Sequence, residues 1–247
     1  MSLLTPEDGA AVLLSLKVAA VATLAALPPA FAVALALARG RFPGRSALDA
    51  LVHLPLVLPP VATGYGLLIL LGRNGPVGSI LAEVGIVFVF DWTGAALAAA
   101  VMAFPLLVRP MRLAIEAIDP EVDETARTLG AGVLPRLLRV TLPLAGPGIL
   151  GAVVLGFAKA LGEFGATITF AAAIPGETLT LPTAIYQATQ LPGGEARALA
   201  LCGVATAIAV AAVFASNALT RPWNSVAARS PATGPGSRAA GAGWRPR

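Results

Sequence analysis

Residues 124–143 read ETARTLGAGVLPRLLRVTLP, a charged island between long apolar runs. Just upstream, Asp119 followed by Pro120 reads as an N-cap with proline at the first helical position, and Glu121, Asp123 and Glu124 place negative charge near the positive end of the helix dipole. Gly130 and Gly132 then supply a stop and a turn. Val122, Ala126 and Leu129 fall at helical spacing on one face of this short helix. A second short helix, opening near Pro135, leads through Arg136, Leu137 and Arg139 to Leu142 and Pro143, where the next apolar run begins. The pattern predicts a helix-turn-helix in a loop over residues 114–143, apolar on one face and charged on the other. Such a unit can dock in a groove of a partner protein or rest on a lipid interface.

Working outward, the flanking runs hold almost no charge. The chain of 247 residues is 57% hydrophobic and 12% charged, against about 25% charged in soluble globular proteins, so most of its surface must face something other than water. The same composition excludes a disordered chain. A single cysteine, Cys202, excludes a disulfide framework and a multi-cysteine metal site. One histidine and two tyrosines leave little material for acid-base catalysis.

A span needs about 20 mostly apolar residues to cross about 30 Å of hydrocarbon. Val18 to Ala38, Ala50 to Gly72, Trp92 to Val108, Val140 to Ala158 and Ala198 to Thr220 carry no formal charge. The expected fold class is therefore all-α: a polytopic membrane protein with five transmembrane helices over residues 10–38, 48–72, 92–113, 144–163 and 198–220, forming one membrane domain over 1–220. Arg109 and Arg112 extend the third helix by snorkelling toward water. The uncharged stretch from Phe164 to Gly176 is too short to cross and closes on a Pro175-Gly176 turn, so it reads as a re-entrant or surface segment.

Glu7 and Asp8 stand where a secretory signal would carry lysine or arginine, so the first span is expected to stay in the protein. Arg39, Arg41 and Arg45 lie between spans one and two, and Arg109, Arg112, Arg127, Arg136 and Arg139 between three and four. Arg221, Arg229, Arg238, Arg245 and Arg247 follow span five. Positively charged loops stay cytoplasmic, which predicts an outside N-terminus and a cytoplasmic C-terminus. Residues 221–247, rich in arginine, proline and glycine without an acid, read as a disordered basic tail that can touch anionic lipid.

The quoted stretch resembles the cytoplasmic signature loop of ABC importer permeases. The match runs through Glu124, Thr125, Ala126, Gly130, Val140, Leu142 and Pro143 with the family's spacing intact, although the family prefers alanine where Thr125 stands and isoleucine where Val140 stands. HLPLVLPPVATGYGLLILLG from His53, AAAVMAFPLLVRPMRLAIE from Ala98 and KALGEFGATITFAAAIPGETLTLPTAIY from Lys159 are similar to the molybdate, sulfate and tungstate group of that family. The resemblance covers about residues 10–220. It implies a type I ABC importer permease, with the loop as a coupling helix seated in a cleft of a separate ATPase subunit. Gly130 would then permit the tight turn, and Glu124 would be a charged contact or a helix cap. It also implies a homodimer, two ABC ATPase subunits, a periplasmic oxyanion-binding protein and an inner-membrane location. Molybdate is the expected substrate, with sulfate, thiosulfate and tungstate as alternatives. No cofactor, metal or nucleic acid is expected.

Within the bilayer, Pro55, Pro59, Pro60, Gly64 and Gly66 mark a segment tolerated only where protein or a water-filled cavity satisfies its freed backbone groups. It is expected at the pathway or the dimer interface, or as a packed kink. Lys159 and Glu163 stand four residues apart on one helix face, and an intramembrane charge is a functional candidate by default. Counted from Pro143 at 1.5 Å per residue, Lys159 lies roughly 24 Å along the helix, near the outer edge of the hydrocarbon. The two read as an outer gate or a structural ion pair; as a gate, Glu163→Gln would impair uptake with normal assembly. Gly165, Thr167 and Thr169 offer hydroxyls and backbone N–H groups suited to an oxyanion. For His53 and Cys202, packing outweighs metal ligation because no second ligand accompanies either.

An ATP-independent transporter should show repeats and broken helices in both halves, and an enzyme needs a catalytic cluster that the sequence lacks. There is also no GxxxxGK[ST] phosphate loop. The chain therefore reads as a transport subunit whose energy comes from a partner.

Overall fold

The computed structural model describes residues 4–227, with side chains as far as Phe214 apart from Val213. Every regular element among them is helical. Helix α1 (Pro6–Arg39) opens on a capping box: the Asp8 carboxylate accepts from the Thr5 N–H at 2.8 Å, the Thr5 hydroxyl accepts from the Asp8 N–H at 3.4 Å, and Pro6 takes the first helical position. Its 34 residues make about 51 Å at 1.5 Å per residue, so it outruns the hydrocarbon.

The single span expected over 48–72 is instead two helices, α2 (Arg45–Val57) and α3 (Pro60–Leu71), with axes bent by 114°. Pro59 and Pro60 cause the break. Neither has an N–H to continue the ladder, and the Pro60 ring forces Pro59 into extended backbone at ψ 134°. After the short α4 (Gly78–Glu83), α5 (Trp92–Glu116) begins where Asp91 accepts from the Thr93 N–H at 2.8 Å.

Next come α6 (Pro120–Thr128) and α7 (Val133–Arg136), the two short helices expected from the sequence. A π turn (Leu137–Thr141) and α8 (Leu142–Leu161) continue from α7 as one apolar rod of 29 residues, so this span starts earlier than the expected residue 144. In the π turn the Leu142 N–H donates to the Leu137 carbonyl, five residues back, just before Pro143, which has no N–H to give. The stretch after α8 holds α9 (Gly165–Phe170), and α10 (Leu181–Gln190) follows. Helix α11 (Glu195–Ala227) runs past residue 220, where the tail was expected to begin, because a helix satisfies its own backbone and need not end where the apolar run does. The rest of the expected tail lies outside the described residues.

Helices α1, α5, α8 and α11 contain segments long and apolar enough to cross a membrane, and counting the bent α2–α3 pair as one span gives five. Side-chain contacts fix how they run. At one end Lys17 of α1 lies 3.4 Å over the ring of Trp92, which opens α5, and Arg197 near the start of α11 grips Asp8. At the other end Arg45 and Arg112 meet Glu116, Arg112 meets Asp49, and Arg39 meets Asp123. Thus α1, α5 and α11 all begin at the Asp8 end, and α8 runs back toward it. The interior is built from small residues: Ala19, Ala22, Ala96, Ala99, Ala103 and Ala160 form one buried cluster between α1, α5 and α8. Gly156 sits so close to α5 that an added Cβ would stand 2.5 Å from the Leu107 side chain. Lipid tails give helices no hydrophobic drive to associate, so close approach of small residues supplies the attraction.

Candidate functional site

The first candidate site is the loop joining α5 to α8. The carboxylate of Asp119 caps α6 by accepting from the Glu121 N–H at 2.9 Å. The helix ends in a Schellman motif. Gly130 at φ +80° donates to the Arg127 carbonyl at 2.9 Å, and the Ala131 N–H reaches back to the Ala126 carbonyl at 3.0 Å. Only glycine adopts this left-handed backbone without strain, which explains Gly130 from geometry.

No residue of α6 is buried. Glu124, Thr125, Gly130, Leu142 and Pro143 are exposed, while Ala126 and Val140 are half-buried. The sequence-predicted residues therefore lie along one exposed unit rather than converging on a cavity. Around them Val122, Leu129, Val133, Leu134 and Leu138 expose an apolar surface, with Leu129 82% accessible. Among the described residues the Glu124 side chain makes no hydrogen bond or ion pair. Asp119, not Glu124, is the cap.

Asp123, which the sequence marks only as a charge facing the helix dipole, also holds α6 to the body of the protein. Its two oxygens lie 3.6 Å from the Arg39 guanidinium at the end of α1 and 3.7 Å from that of Arg136 on α7. Beside it Arg112 bridges Asp49 of α2 at 2.9 Å and Glu116 at 2.8 Å. His53 is part of this polar cluster, its Nδ1 lying 2.8 Å from the Asp49 carbonyl oxygen.

The second candidate site is where α3 and α9 cross. Pro60 and Gly64 on α3 meet Gly165, Ala166 and Thr169 on α9. A Cβ on Gly64 would stand 2.6 Å from the Ala166 carbonyl oxygen, and one on Gly165 would stand 2.7 Å from the Pro60 Cβ. Pro60 and Gly64, which lie about a hundred residues before Gly165 and Thr169 in the sequence, thus form one close contact with them, while Pro59 stands just before α3 as its N-cap. Thr169 donates to the Gly165 carbonyl at 2.8 Å, and Thr167 is buried in the protein.

Lys159 and Glu163 do not share a helix face, since α8 ends at Leu161 and Glu163 lies beyond it. They still pair: Lys159 Nζ is 2.6 Å from Glu163 Oε2. The Glu163 side chain is 1% accessible against 29% for Lys159. Its other oxygen, Oε1, accepts from the Ala166 N–H at 3.1 Å.

Residues 29–224 match the family described as the binding-protein-dependent transport system inner membrane component. The chain belongs to that family. It is a membrane-embedded transport component. Over 220 residues it is 51% identical to the molybdenum transport system permease protein ModB of Escherichia coli (strain K12), covering 89% of this chain and 96% of that relative. Solved structures agree on the fold. A chain of a bacterial ABC transporter involved in import of the acidic polysaccharide alginate superposes with a TM-score of 0.72 at 20% identity, covering 89% of this chain and 80% of that one. A chain of the alginate transporter in complex with an alginate pentasaccharide-bound periplasmic protein superposes with a TM-score of 0.67 at 20% identity, covering 88% and 80%.

Proposed function

We propose that this chain is the permease subunit of an ATP-driven importer that carries molybdate inward across the cytoplasmic membrane. The observation that carries the reading is the α6–α7 unit: an exposed apolar surface, continuous through the π turn with the membrane-crossing rod α8. A separate ATPase subunit would seat this surface in a cleft, contacting Glu124, Thr125, Ala126, Gly130, Val140, Leu142 and Pro143. Closure of two such subunits on ATP would then move α8 in a permease homodimer. The near full-length similarity to a molybdenum permease supports molybdate over sulfate or tungstate. A periplasmic oxyanion-binding protein would deliver the substrate.

In this reading the end holding Arg39, Arg45, Arg112 and Arg136 is cytoplasmic, the N-terminus lies outside and the C-terminus inside, by the positive-inside rule. The membrane domain is 1–220, with 221–247 a cytoplasmic basic segment. Pro59, Pro60, Gly64, Gly165, Thr167 and Thr169 belong to the wall of the pathway, and the Lys159–Glu163 pair stands behind that wall as a structural ion pair.

The test is reconstitution of the chain with its ATPase and binding protein in proteoliposomes. Molybdate accumulation that requires ATP on the ATPase side and the binding protein on the other is the expected result. Accumulation without either partner, or of sulfate in preference to molybdate, would refute it.

A further inference from the structure

We infer that Glu163 is a positioning residue, one that fixes the α3–α9 layer to the moving rod α8 through its hydrogen bond to the Ala166 N–H rather than through its charge. The inference rests on the transport function proposed above. It starts from the way the carboxylate is used. Both oxygens are occupied, one by the Lys159 ammonium and the other by a backbone N–H, and the group is almost fully buried. Nothing is left over to meet an anion, and a carboxylate would repel one.

The bond to Ala166 is the one that the local fold needs. Helix α9 has no side-chain cap from Phe164, the residue before it. A helix start leaves its first N–H groups without partners, and a buried one is costly. Glu163 supplies the missing acceptor. The same Ala166 lies against Gly64, and its neighbour Gly165 lies against Pro60 and Val61. One acceptor therefore holds the start of α9 in the register that lets Gly64 of α3 meet the Ala166 backbone and Gly165 of α9 meet Pro60 and Val61. Lys159, four residues upstream on α8, steadies the carboxylate while most of its own stem stays covered. The result is an unbroken physical path: α6–α7, the π turn, α8, Glu163, α9, α3.

Acceptor and charge can be separated by substitution. Glu163→Gln keeps an oxygen for the Ala166 N–H and loses the charge, its amide NH2 displacing the partly exposed Lys159 ammonium toward water. The exchange Lys159→Glu with Glu163→Lys keeps an ion pair and loses the acceptor, and Glu163→Ala loses both. In proteoliposomes holding the full complex, molybdate taken up per ATP hydrolysed should stay within about threefold of the parent for Glu163→Gln and fall at least tenfold for the exchange and for Glu163→Ala. Hydrogen exchange across residues 163–170 should be slow in the parent and in Glu163→Gln, and at least tenfold faster in the other two. That readout stands even where a variant assembles poorly. A charge gate predicts the reverse: Glu163→Gln uncoupled and the exchange rescued. That outcome, fast exchange at Ala166 in Glu163→Gln, or equal behaviour of all variants, would overturn the inference. If the parent complex itself moves no molybdate, the proposed function fails instead, while the exchange measurement still decides the role of Glu163.

Discussion

Two glycines on α3, two residues apart, provide a controlled test of the α3–α9 crossing. A methyl on Gly64 would stand 2.6 Å from the carbonyl oxygen and 2.8 Å from the Cα of Ala166, and 3.0 Å from the Cβ of Thr169. The two nearest atoms are backbone and cannot rotate away, so α3 and α9 must separate by about 0.6–0.8 Å to restore ordinary contact. A methyl on Gly66 meets nothing within 4 Å. Both substitutions to alanine gain the same helix propensity, about 1 kcal/mol, and only Gly64→Ala adds an overpacking term of about 1–3 kcal/mol. The difference between the two variants therefore isolates the clash. For a chain of this size it corresponds to a melting temperature about 2–12 °C lower for Gly64→Ala than for Gly66→Ala. The assay is thermal unfolding of the purified complex, read beside ATP-driven molybdate uptake. Gly66→Ala should melt at or slightly above the parent temperature and transport normally; Gly64→Ala should melt lower and lose uptake. Equal melting and equal uptake would refute the argument that α3 and α9 cross at backbone distance.

Other expectations follow from single features. Gly130→Leu places a branched side chain at φ +80°, which costs about 1–2 kcal/mol in the left-handed region. It should deform the end of α6, so ATPase binding measured by co-purification should fall while the permease stays membrane-inserted. Arg197→Ala strands the buried Asp8 carboxylate, which now receives bonds at 2.7 and 3.1 Å from that guanidinium. Breaking a fully buried pair removes about 3–5 kcal/mol, and because Arg197 is partly exposed a loss of about 2–3 kcal/mol is expected in thermal melts, with Asp8→Asn restoring part of it. Ala172, just past α9, has φ +61°; Ala172→Gly should relieve about 1 kcal/mol of strain and raise the melting temperature, and no rise would show that the turn is not strained.

Much of the fold is legible in the chain itself because membrane insertion is governed by local composition. The absence of charge over about twenty residues marks a span whatever it later packs against. Likewise Asp119-Pro120 and Gly130 begin and end α6 through hydrogen bonds made within a few residues. Pro59-Pro60 also signals a broken backbone, although the size of the break, 114°, depends on what α3 packs against. The candidate site is legible as residue types but not as an arrangement. Lys159 and Glu163 read as two charges on one face, whereas α8 stops between them and Glu163 turns inward to cap α9.

The sequence by itself determined that this protein is a membrane component of helices, which stretches are apolar enough to cross a bilayer and where α6 begins and ends, since each of these is set by residues close together in the chain. Only the tertiary structure decided that Asp8 holds Arg197, that Asp123 anchors α6 to α1, and that Gly64 meets Ala166. Those partners stand 189, 84 and 102 residues apart, and such contacts depend on how the helices pack, which no local pattern specifies.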